Sequence, residues 1–293
     1  MKPAPFLYEA PTSLVEALSL LAQHGFDAKP LAGGQSLVPA MNFRLAMPGV
    51  LVDLNGLPEL RGMRRENGRF RIGAMVRQRV LEKDVELAAA VPLLAQALPH
   101  IAHPQIRNRG TIGGSLAHAD PAAELPVVCV ALDARFRLQS TESDRWVTAV
   151  DFFTGLFMTA RADEELLTEI ELPVTPPGTG TAFVELARRH GDYALAGVAA
   201  VVKLRADGHI AHARLVYLNA GEKPVVAWEA GQMLAGERPS AELFTAAAQK
   251  AAVHEINPVD DVHASATYKR HLTQVLTKRA LQQAVQNADG NSQ

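Results

Sequence analysis

Cysteine is almost absent from this sequence, which contains only Cys129. A single thiol can form no internal disulfide, and it cannot supply the four thiolates that ligate an iron–sulfur cluster. Cys129 lies inside the apolar run 125–132, where a free cysteine ordinarily serves as a small buried side chain. The sequence thus excludes a protein that carries its own iron–sulfur cluster.

Long apolar runs are also missing. No segment approaches the ~20 apolar residues that a helix needs to cross a bilayer. The first apolar stretch, 14–22, is amphipathic and contains Glu16, unlike the uninterrupted apolar core of a signal peptide. We therefore expect no membrane span and a cytoplasmic location.

Neither sign of charge is in excess. The 29 Lys and Arg and the 31 Asp and Glu are interspersed and give a formal net charge of −2. Because no basic stripe is available to neutralise phosphates, nucleic acid is not an expected partner.

Several common site motifs are missing as well. The sequence has neither the dinucleotide fingerprint G-x-G-x-x-G nor the phosphate loop G-x-x-x-x-G-K-[ST], which disfavours a Rossmann domain and a nucleotide triphosphatase. Two H-x-x-H pairs, His100/His103 and His209/His212, lack a third ligand at a suitable spacing, so no metal site is predicted.

What the sequence does contain is two segments with adjacent glycines. The first glycine loop, Ala32–Ser36, includes Gly33-Gly34, and the second glycine loop, Thr111–Ser115, includes Gly113-Gly114. Glycine permits positive φ and lets a ligand approach the main chain closely, and successive N–H groups in such turns form anion sites. Two such loops predict the two halves of one FAD diphosphate cradle.

The length of 293 residues exceeds the usual size of a single core and predicts two domains. The proline-rich segment 173–178 is the clearest break in composition, so we expect domains 1–176 and 177–293. Beyond the break, strands precede helices, which is typical of an α+β domain. The predicted strands are 28–31, 50–54, 70–74, 135–139, 145–149, 166–172, 182–188, 194–205 and 210–218. The predicted helices are 14–24, 77–83, 91–101, 121–132 (starting at Asp120-Pro121), 225–235, 240–253 and 264–283.

At the two loops the chain resembles a known family, the FAD-binding medium subunit of molybdenum hydroxylases, which includes carbon monoxide dehydrogenase and xanthine dehydrogenase. The similarity covers essentially the whole chain in the expected order. The segments that carry it are Leu31–Pro39, Leu51–Leu54, Ile106–Ser115, Ala117–Pro126, Arg189–Ala194 and Asp261–His271.

The resemblance implies an α+β fold in which an FAD-binding domain of the vanillyl-alcohol-oxidase (PCMH) type, with parts at about 1–56 and 57–176, precedes a smaller α+β C-terminal flavoprotein domain. It implies that both loops hold the diphosphate and ribityl region, that Glu124 contacts the cofactor, and that Tyr193 lies beside the isoalloxazine. The FAD-binding residues so expected are Leu31, Ala32, Gly33, Gly34, Gln35, Ser36, Leu37, Val38, Thr111, Ile112, Gly113, Gly114, Ser115, Glu124 and Tyr193.

The resemblance also implies a place in a larger complex. A dimer of heterotrimers is expected, with two [2Fe–2S] clusters on a small partner subunit and the molybdenum cofactor on a large one. FAD on this chain would collect electrons and deliver them to an external acceptor, and no catalytic side chain is predicted here. Two alternatives stay open: a stand-alone FAD-dependent reductase or oxidase of the same fold, and a non-enzymatic nucleotide-binding protein.

Four side chains have competing interpretations. Arg107 and Arg109 flank the second glycine loop, where they could offset the charge of the diphosphate or pair with carboxylates that lock the loop. Glu124 could instead be a carboxylate on a helix surface, and Tyr193 a buried structural tyrosine. The sequence alone does not decide between these interpretations.

Overall fold

The protein, described here by a computed structural model of residues 2–290, has a mixed helix and strand architecture, which confirms the predicted α+β class. Met1 and residues 291–293, the outer ends of the two predicted domains, lie outside the described residues. Within the described range, no helix is both long and apolar enough to span a bilayer.

A small parallel sheet opens the chain. Its strands β1, β2 and β3 are ordered β1-β3-β2, and helix α1 packs its buried side chains Ala17, Leu18 and Leu21 into the core beneath the sheet. The elements are β1 (Leu7–Glu9), α1 (Leu14–His24), β2 (Ala28–Leu31), α2 (Leu37–Asn42) and β3 (Val50–Asp53).

A five-stranded antiparallel sheet, ordered β4-β5-β10-β6-β7, forms the next part, and a series of helices covers it. Helix α8 is buried along its whole length, which explains its apolar sequence. The elements are β4 (Met63–Glu66), β5 (Arg69–Gly73), α3 (Gln78–Lys83), α4 (Val85–Ala90), α5 (Pro92–Ala97), α6 (Pro104–Arg107), α7 (Ile112–His118), α8 (Glu124–Ala131), β6 (Arg135–Gln139), β7 (Asp144–Thr148), α9 (Ala149–Phe152), β8 (Phe153–Gly155), β9 (Met158–Thr159) and β10 (Leu166–Pro173).

The C-terminal part is a four-stranded antiparallel sheet, β11-β12-β13-β14, with three helices. Strands β11, β12 and β13 share one apolar core with the preceding part through Phe183, Ala199, Val216 and Leu218. The elements are β11 (Thr179–Ala187), β12 (Ala194–Leu204), β13 (Ile210–Leu218), β14 (Val225–Val226), α10 (Trp228–Leu234), α11 (Ala241–Lys250) and α12 (Ala266–Gly290), with a π-helical turn at Ala251–Glu255.

Several predicted helices differ from those observed, and α12 runs on to Gly290. The helix expected from Pro121 begins only at Glu124, because the Asp120 side chain accepts a hydrogen bond from the Ala122 N–H, 2.9 Å away, and forms a turn. The helix expected over 91–101 ends at Ala97 and continues as a 3₁₀ turn through Pro99, which lacks an N–H donor. In the segment 225–235, a short strand precedes the helix.

At Gly180 the C-terminal helix approaches strand β11 closely. A Cβ atom at this position would overlap main-chain atoms of Ala284 and lie 2.9 Å from the Cα of Ala288. We expect Gly180→Ala to lower the free energy of unfolding by about 1–3 kcal/mol, since α12 must shift away from β11. Urea unfolding measures the change. Gly62→Ala is the matched control, because a Cβ there meets no atom within 4 Å, and equal stability of the two variants would contradict the prediction.

Candidate functional site

The two glycine loops meet in space although about eighty residues separate them in the sequence. A Cβ atom on Gly33 would overlap the carbonyl oxygen of Arg109 and lie 2.8 Å from the Cα of Gly110. On the other side, a Cβ on Gly114 would lie 3.4 Å from the Cβ of Ala32. The predicted convergence of the loops is therefore observed, and glycine is what permits it.

The first glycine loop presents a row of free donors. Between strand β2 and helix α2, none of the main-chain N–H groups of Gly33, Gly34, Gln35, Ser36 and Leu37 donates a hydrogen bond to any group in residues 2–290. Gly34 has φ +74°, which turns successive N–H groups toward one side. Such a row of amides forms a concave anion site, as a diphosphate requires.

The second glycine loop is not a loop in the structure: Thr111 is the N-cap of helix α7, and Ile112–Ser115 form its first turn. Its N–H groups already donate hydrogen bonds within the protein. Ile112 donates to the carbonyl oxygen of Val76 (3.1 Å) and Gly113 to that of Ala74 (2.9 Å). Gly114 donates to Thr111 Oγ1 (3.0 Å) and Ser115 to the carbonyl oxygen of Thr111 (3.2 Å). The expectation that both loops offer free amides is therefore wrong for this loop. The segment after β5 holds the second loop in place, and Ile112 and Gly113 are buried by it.

A cleft of about 600 Å³ opens over the first glycine loop. Its lining contains several side chains that sequence reasoning did not assign to the site, among them Tyr8 and Asn55. Ser36, Leu37 and the second-loop residues Thr111–Ser115 are not part of this lining. The predicted FAD-binding residues that do line the cleft are Leu31, Ala32, Gly33, Gly34, Gln35 and Val38.

A polar network at the cleft joins the first glycine loop to the segment just before the second. Asn55 donates from Nδ2 to the carbonyl oxygen of Ala32, 2.9 Å away. Arg77 donates to Asn55 Oδ1 at 2.5 Å and to the carbonyl oxygen of Arg109. These partners lie 22 to 32 residues apart in the sequence. No local sequence pattern therefore predicts these hydrogen bonds.

Asp53 sits at the end of β3 in the same network. Burial disfavours its charged form, but hydrogen bonds from the Tyr8 hydroxyl and from Asn55 outweigh that effect and hold the pKa of Asp53 below its ordinary value. The carboxylate is thus anionic near neutral pH and lies beside Arg109, whose charge also favours ionisation.

The structure separates the roles of the two arginines. Arg107 is buried, forms two hydrogen bonds of 2.9 Å to the carboxylate of Glu82, and donates to the carbonyl oxygens of Ile101 and Ala102 at 2.8 and 3.0 Å. It therefore locks the segment before the second glycine loop. Arg109 is exposed and lines the cleft. It forms no salt bridge within 4 Å among the described residues and interacts with the Asp53 carboxylate at longer range, so its side chain is free to contact an anionic ligand.

Glu124 and Tyr193 lie away from this cleft, where the C-terminal part meets α8. Glu124 is only 8% exposed, so it is not a surface carboxylate; burial, reinforced by the charge of Glu185, raises its pKa to about 8. Glu185 itself contacts His100, with 3.2 Å between Oε1 and Nδ1. Tyr193 is 63% exposed, so it is not a buried structural tyrosine.

Together these features describe a nucleotide-binding α+β protein. It would bind a diphosphate with turns that contain adjacent glycines, and not with a Rossmann fingerprint. The free amides, the unpaired Arg109 and the glycine contacts fit the diphosphate of FAD. Comparison with known sequences agrees: residues 4–175 match the family described as the FAD binding domain in molybdopterin dehydrogenase, and residues 181–284 match the CO dehydrogenase flavoprotein C-terminal domain. The chain belongs to the FAD-binding medium subunits of the carbon monoxide dehydrogenase and xanthine dehydrogenase family of molybdenum hydroxylases.

Individual relatives match over nearly their whole length. The 6-hydroxypseudooxynicotine dehydrogenase complex subunit alpha of Paenarthrobacter nicotinovorans is 43% identical over 98% of this chain and 97% of its own. The carbon monoxide dehydrogenase medium chain of Hydrogenophaga pseudoflava is 40% identical over 97% and 98%. The solved carbon monoxide dehydrogenase of H. pseudoflava superposes with a TM-score of 0.95 at 41% identity, covering 98% of this chain and 99% of that one. This chain is accordingly an FAD-binding oxidoreductase subunit.

The Arg107–Glu82 pair makes a pH-dependent contribution to stability. The hydrogen bonds from Arg107 hold the pKa of Glu82 below its ordinary value. The pair therefore stabilises the fold fully when the pH is above the ordinary pKa of a glutamate, and this stabilisation is lost as the pH falls through the lowered pKa of Glu82. At pH 7 we expect Glu82→Gln to cost about 3 kcal/mol of unfolding free energy, and the difference from wild type to shrink in acid. Urea unfolding between pH 3 and 7 tests this, with Glu86→Gln, on the exposed face of α4, as control. A difference that does not change with pH would contradict it.

Arg109 gives a second prediction. We expect Arg109→Gln to weaken FAD binding by about tenfold and to reduce its dependence on salt, because one charge that offsets the diphosphate is lost. Titration of the FAD-free protein with FAD, followed by flavin fluorescence at two salt concentrations, measures both effects. Lys83→Gln removes the same charge from an exposed position outside the cleft and should change neither; equal effects of the two substitutions would rule out a local role for Arg109.

Proposed function

We propose that this chain is the electron-transfer flavin subunit of a heterotrimeric molybdenum hydroxylase. In this proposal, a large partner subunit oxidises the substrate at a molybdenum cofactor, a small partner subunit carries electrons through two [2Fe–2S] clusters, and this chain delivers them to an external acceptor. The observation that carries the proposal is the row of free amides at Gly33–Leu37 in a member of the medium-subunit family.

Within the chain, we assign the FAD diphosphate to the first glycine loop and Arg109. The second glycine loop packs against the first and supports it. Among the polar side chains of the second loop, Thr111 is buried and Ser115 is not. Glu124 and Tyr193 are assigned to the isoalloxazine end, since they lie together where the C-terminal part meets α8. Bound FAD supplies the capacity to take up two electrons and to pass them on.

The lone cysteine supports a division of labour among subunits. Cys129 is fully buried in α8, and burial raises the pKa of its thiol, so it is neither exposed nor ionised for metal ligation. Iron–sulfur clusters must then come from another chain. Relatives named as medium chains or as subunits of complexes are consistent with small and large partners.

We further propose the domain division 1–176 and 177–293, with the first domain in two parts at about 1–56 and 57–176. The parallel sheet ends at Asp53, the antiparallel five-stranded sheet ends at Pro173, and the C-terminal sheet begins at Thr179. No sheet crosses either proposed boundary within the described residues. The assembly as a dimer of heterotrimers and the cytoplasmic location are carried forward as predictions.

Affinity purification of the tagged chain from its own host tests the proposal. We expect it to yield a small chain with two sets of four cysteines and a large chain in equal amounts, with one FAD and four iron atoms per copy of this chain. The native mass should be twice the sum of the three subunits. A single polypeptide that turns over alone would contradict the proposal and favour the stand-alone reductase or oxidase.

A variant of the second glycine loop separates FAD binding from assembly. In Gly114→Val the new side chain begins 2.8 Å from Thr111 Oγ1 and points toward Ala32, so the cradle must open. We expect the complex to retain its partners and iron but lose FAD and acceptor reduction, while dithionite still bleaches the iron–sulfur absorbance. Gly62→Val, which faces open space, should keep its FAD, and full FAD occupancy in Gly114→Val would contradict the assignment.

A further inference from the structure

On the basis of the proposed function, which assigns Tyr193 and Glu124 to the isoalloxazine end of the FAD site, we propose that Asn219 is a positioning residue for Tyr193 and that Lys269 orients its amide. Neither Asn219 nor Lys269 lines the cleft over the first glycine loop. Lys269 belongs to the segment Asp261–His271, which carries part of the family resemblance but has no role in the proposed function.

Asn219 joins two segments that are far apart in the sequence. It directly follows strand β13, and its main-chain N–H donates to the carbonyl oxygen of Pro121, 2.7 Å away. Its side-chain Nδ2 donates to the carbonyl oxygens of Ala194 and Leu195, at 2.9 and 3.2 Å. Pro121 lies in the turn that leads into α8, and Ala194 directly follows Tyr193. One residue therefore connects the two segments assigned to the isoalloxazine end.

The side chain of Asn219 takes the place of a strand at the start of β12. The β12–β13 ladder begins at the pair Gly197 and Leu218, so Ala194 and Leu195 lie beyond it. Asn219 has φ +51°, a left-handed conformation that asparagine tolerates, and the chain leaves the sheet there. The amide reaches back to the two carbonyl oxygens that lie beyond the ladder.

Lys269 fixes the orientation of this amide. Lys269 is only 1% exposed, and its Nζ donates to Asn219 Oδ1 at 3.2 Å and to Asp261 Oδ2 at 2.6 Å. An ammonium group can only donate hydrogen bonds, so the amide oxygen of Asn219 must face Lys269 and the NH2 group must face the carbonyl oxygens. Asp261 balances the buried charge, which would otherwise be costly.

The ring of Tyr193 depends on how its main chain is held. Tyr193 is 63% exposed, and it lies near the acidic side chains Asp120 and Glu124 without a hydrogen bond from its hydroxyl to any group in residues 2–290. The turn before Tyr193 contacts His103, since a Cβ on Gly191 would lie 2.6 Å from Nδ1 of that histidine. The amide secures the other end of the turn, directly after Tyr193.

Flavin fluorescence reports the position of Tyr193. A tyrosine in contact with an isoalloxazine quenches its emission by electron transfer, and phenylalanine does not. For the purified full-length chain loaded with FAD, we expect Tyr193→Phe to raise the emission per bound FAD about threefold, because the flat ring stacks on the flavin. We expect a similar rise in Asn219→Gly, since glycine keeps the left-handed conformation and the main-chain bond to Pro121 but removes the amide.

Asn67→Gly is the matched control. Asn67 also has a left-handed conformation, with φ +50°, and it is exposed, so its replacement should leave the emission unchanged. The double variant Tyr193→Phe/Asn219→Gly should emit as Tyr193→Phe does alone. A merely structural role of Asn219 would lower the free energy of unfolding without this dependence on Tyr193. A further rise in the double variant, or no rise in Asn219→Gly that circular dichroism shows to be folded, would overturn the proposal.

Lys269→Met is a second variant, which leaves Asn219 in place. Methionine fills the buried position, and Asp261, whose side chain is 33% exposed, remains in contact with water. We expect the emission per bound FAD to rise about twofold, because the amide loses the donor that orients it. Unchanged emission in a folded Lys269→Met would refute the role of Lys269.

The same measurements separate this role of Asn219 from the proposed function. The affinity for FAD should change less than about threefold in every variant, since the diphosphate is held by the first glycine loop. Unchanged emission in Tyr193→Phe would overturn the assignment of Tyr193 to the isoalloxazine, and the role of Asn219 with it. A rise in Tyr193→Phe without a rise in Asn219→Gly would overturn only the role of Asn219.

Discussion

The close approach of the main chain at Gly33 to the main chain at Arg109 is the constraint on which the site depends. Any side chain at Gly33 would overlap the Arg109 carbonyl, so the first glycine loop can reach its position only with glycine there. That same carbonyl accepts from Arg77, which also binds Asn55, and Asn55 holds the carbonyl of Ala32. One polar network therefore fixes the first glycine loop against the segment that precedes the second. These contacts use the carbonyl oxygen of Ala32 and leave the amides of the first loop free.

The two glycine segments differ in their free hydrogen-bond donors, although the sequence predicted that both would bind the diphosphate. Ala74 and Val76 take up N–H groups of the second loop, and the ionic contact between Arg107 and Glu82 secures the chain that leads into it. A loop fixed in this way can support a neighbour but has few donors left for a ligand. The first loop has the opposite character, with free donors and little internal bonding, as preorganised anion binding requires.

Local features of this protein were predictable, and long-range pairings were not. Adjacent glycines revealed both glycine segments, and the apolar segments 182–188, 194–205 and 210–218 located most strands of the C-terminal sheet, because those signals lie within a few residues of each other. Asn55, Arg77 and Glu82 were missed since each acts on partners more than twenty residues away. The false helix start at Pro121 shows a local competition: Asp120 is a good cap residue, but its side chain closes a turn instead. Helix α8, which Glu124 begins, packs against strands β12 and β13, and no pattern near residue 124 predicts that packing.

The C-terminal part contributes side chains to the apolar core of the part that precedes it. Phe183, Ala199, Val216 and Leu218 enter the same apolar core as α8 and the five-stranded sheet, so the cost of separating the two parts includes exposing that core. Glu124 begins α8 at this junction and is surrounded by Glu185, His100 and Asp120, which come from both parts. Burial, reinforced by the charge of Glu185, raises the pKa of Glu124 to about 8, so the junction keeps a protonated carboxyl group near neutral pH. A carboxyl group that is kept in its neutral form at this junction requires both parts to be correctly docked.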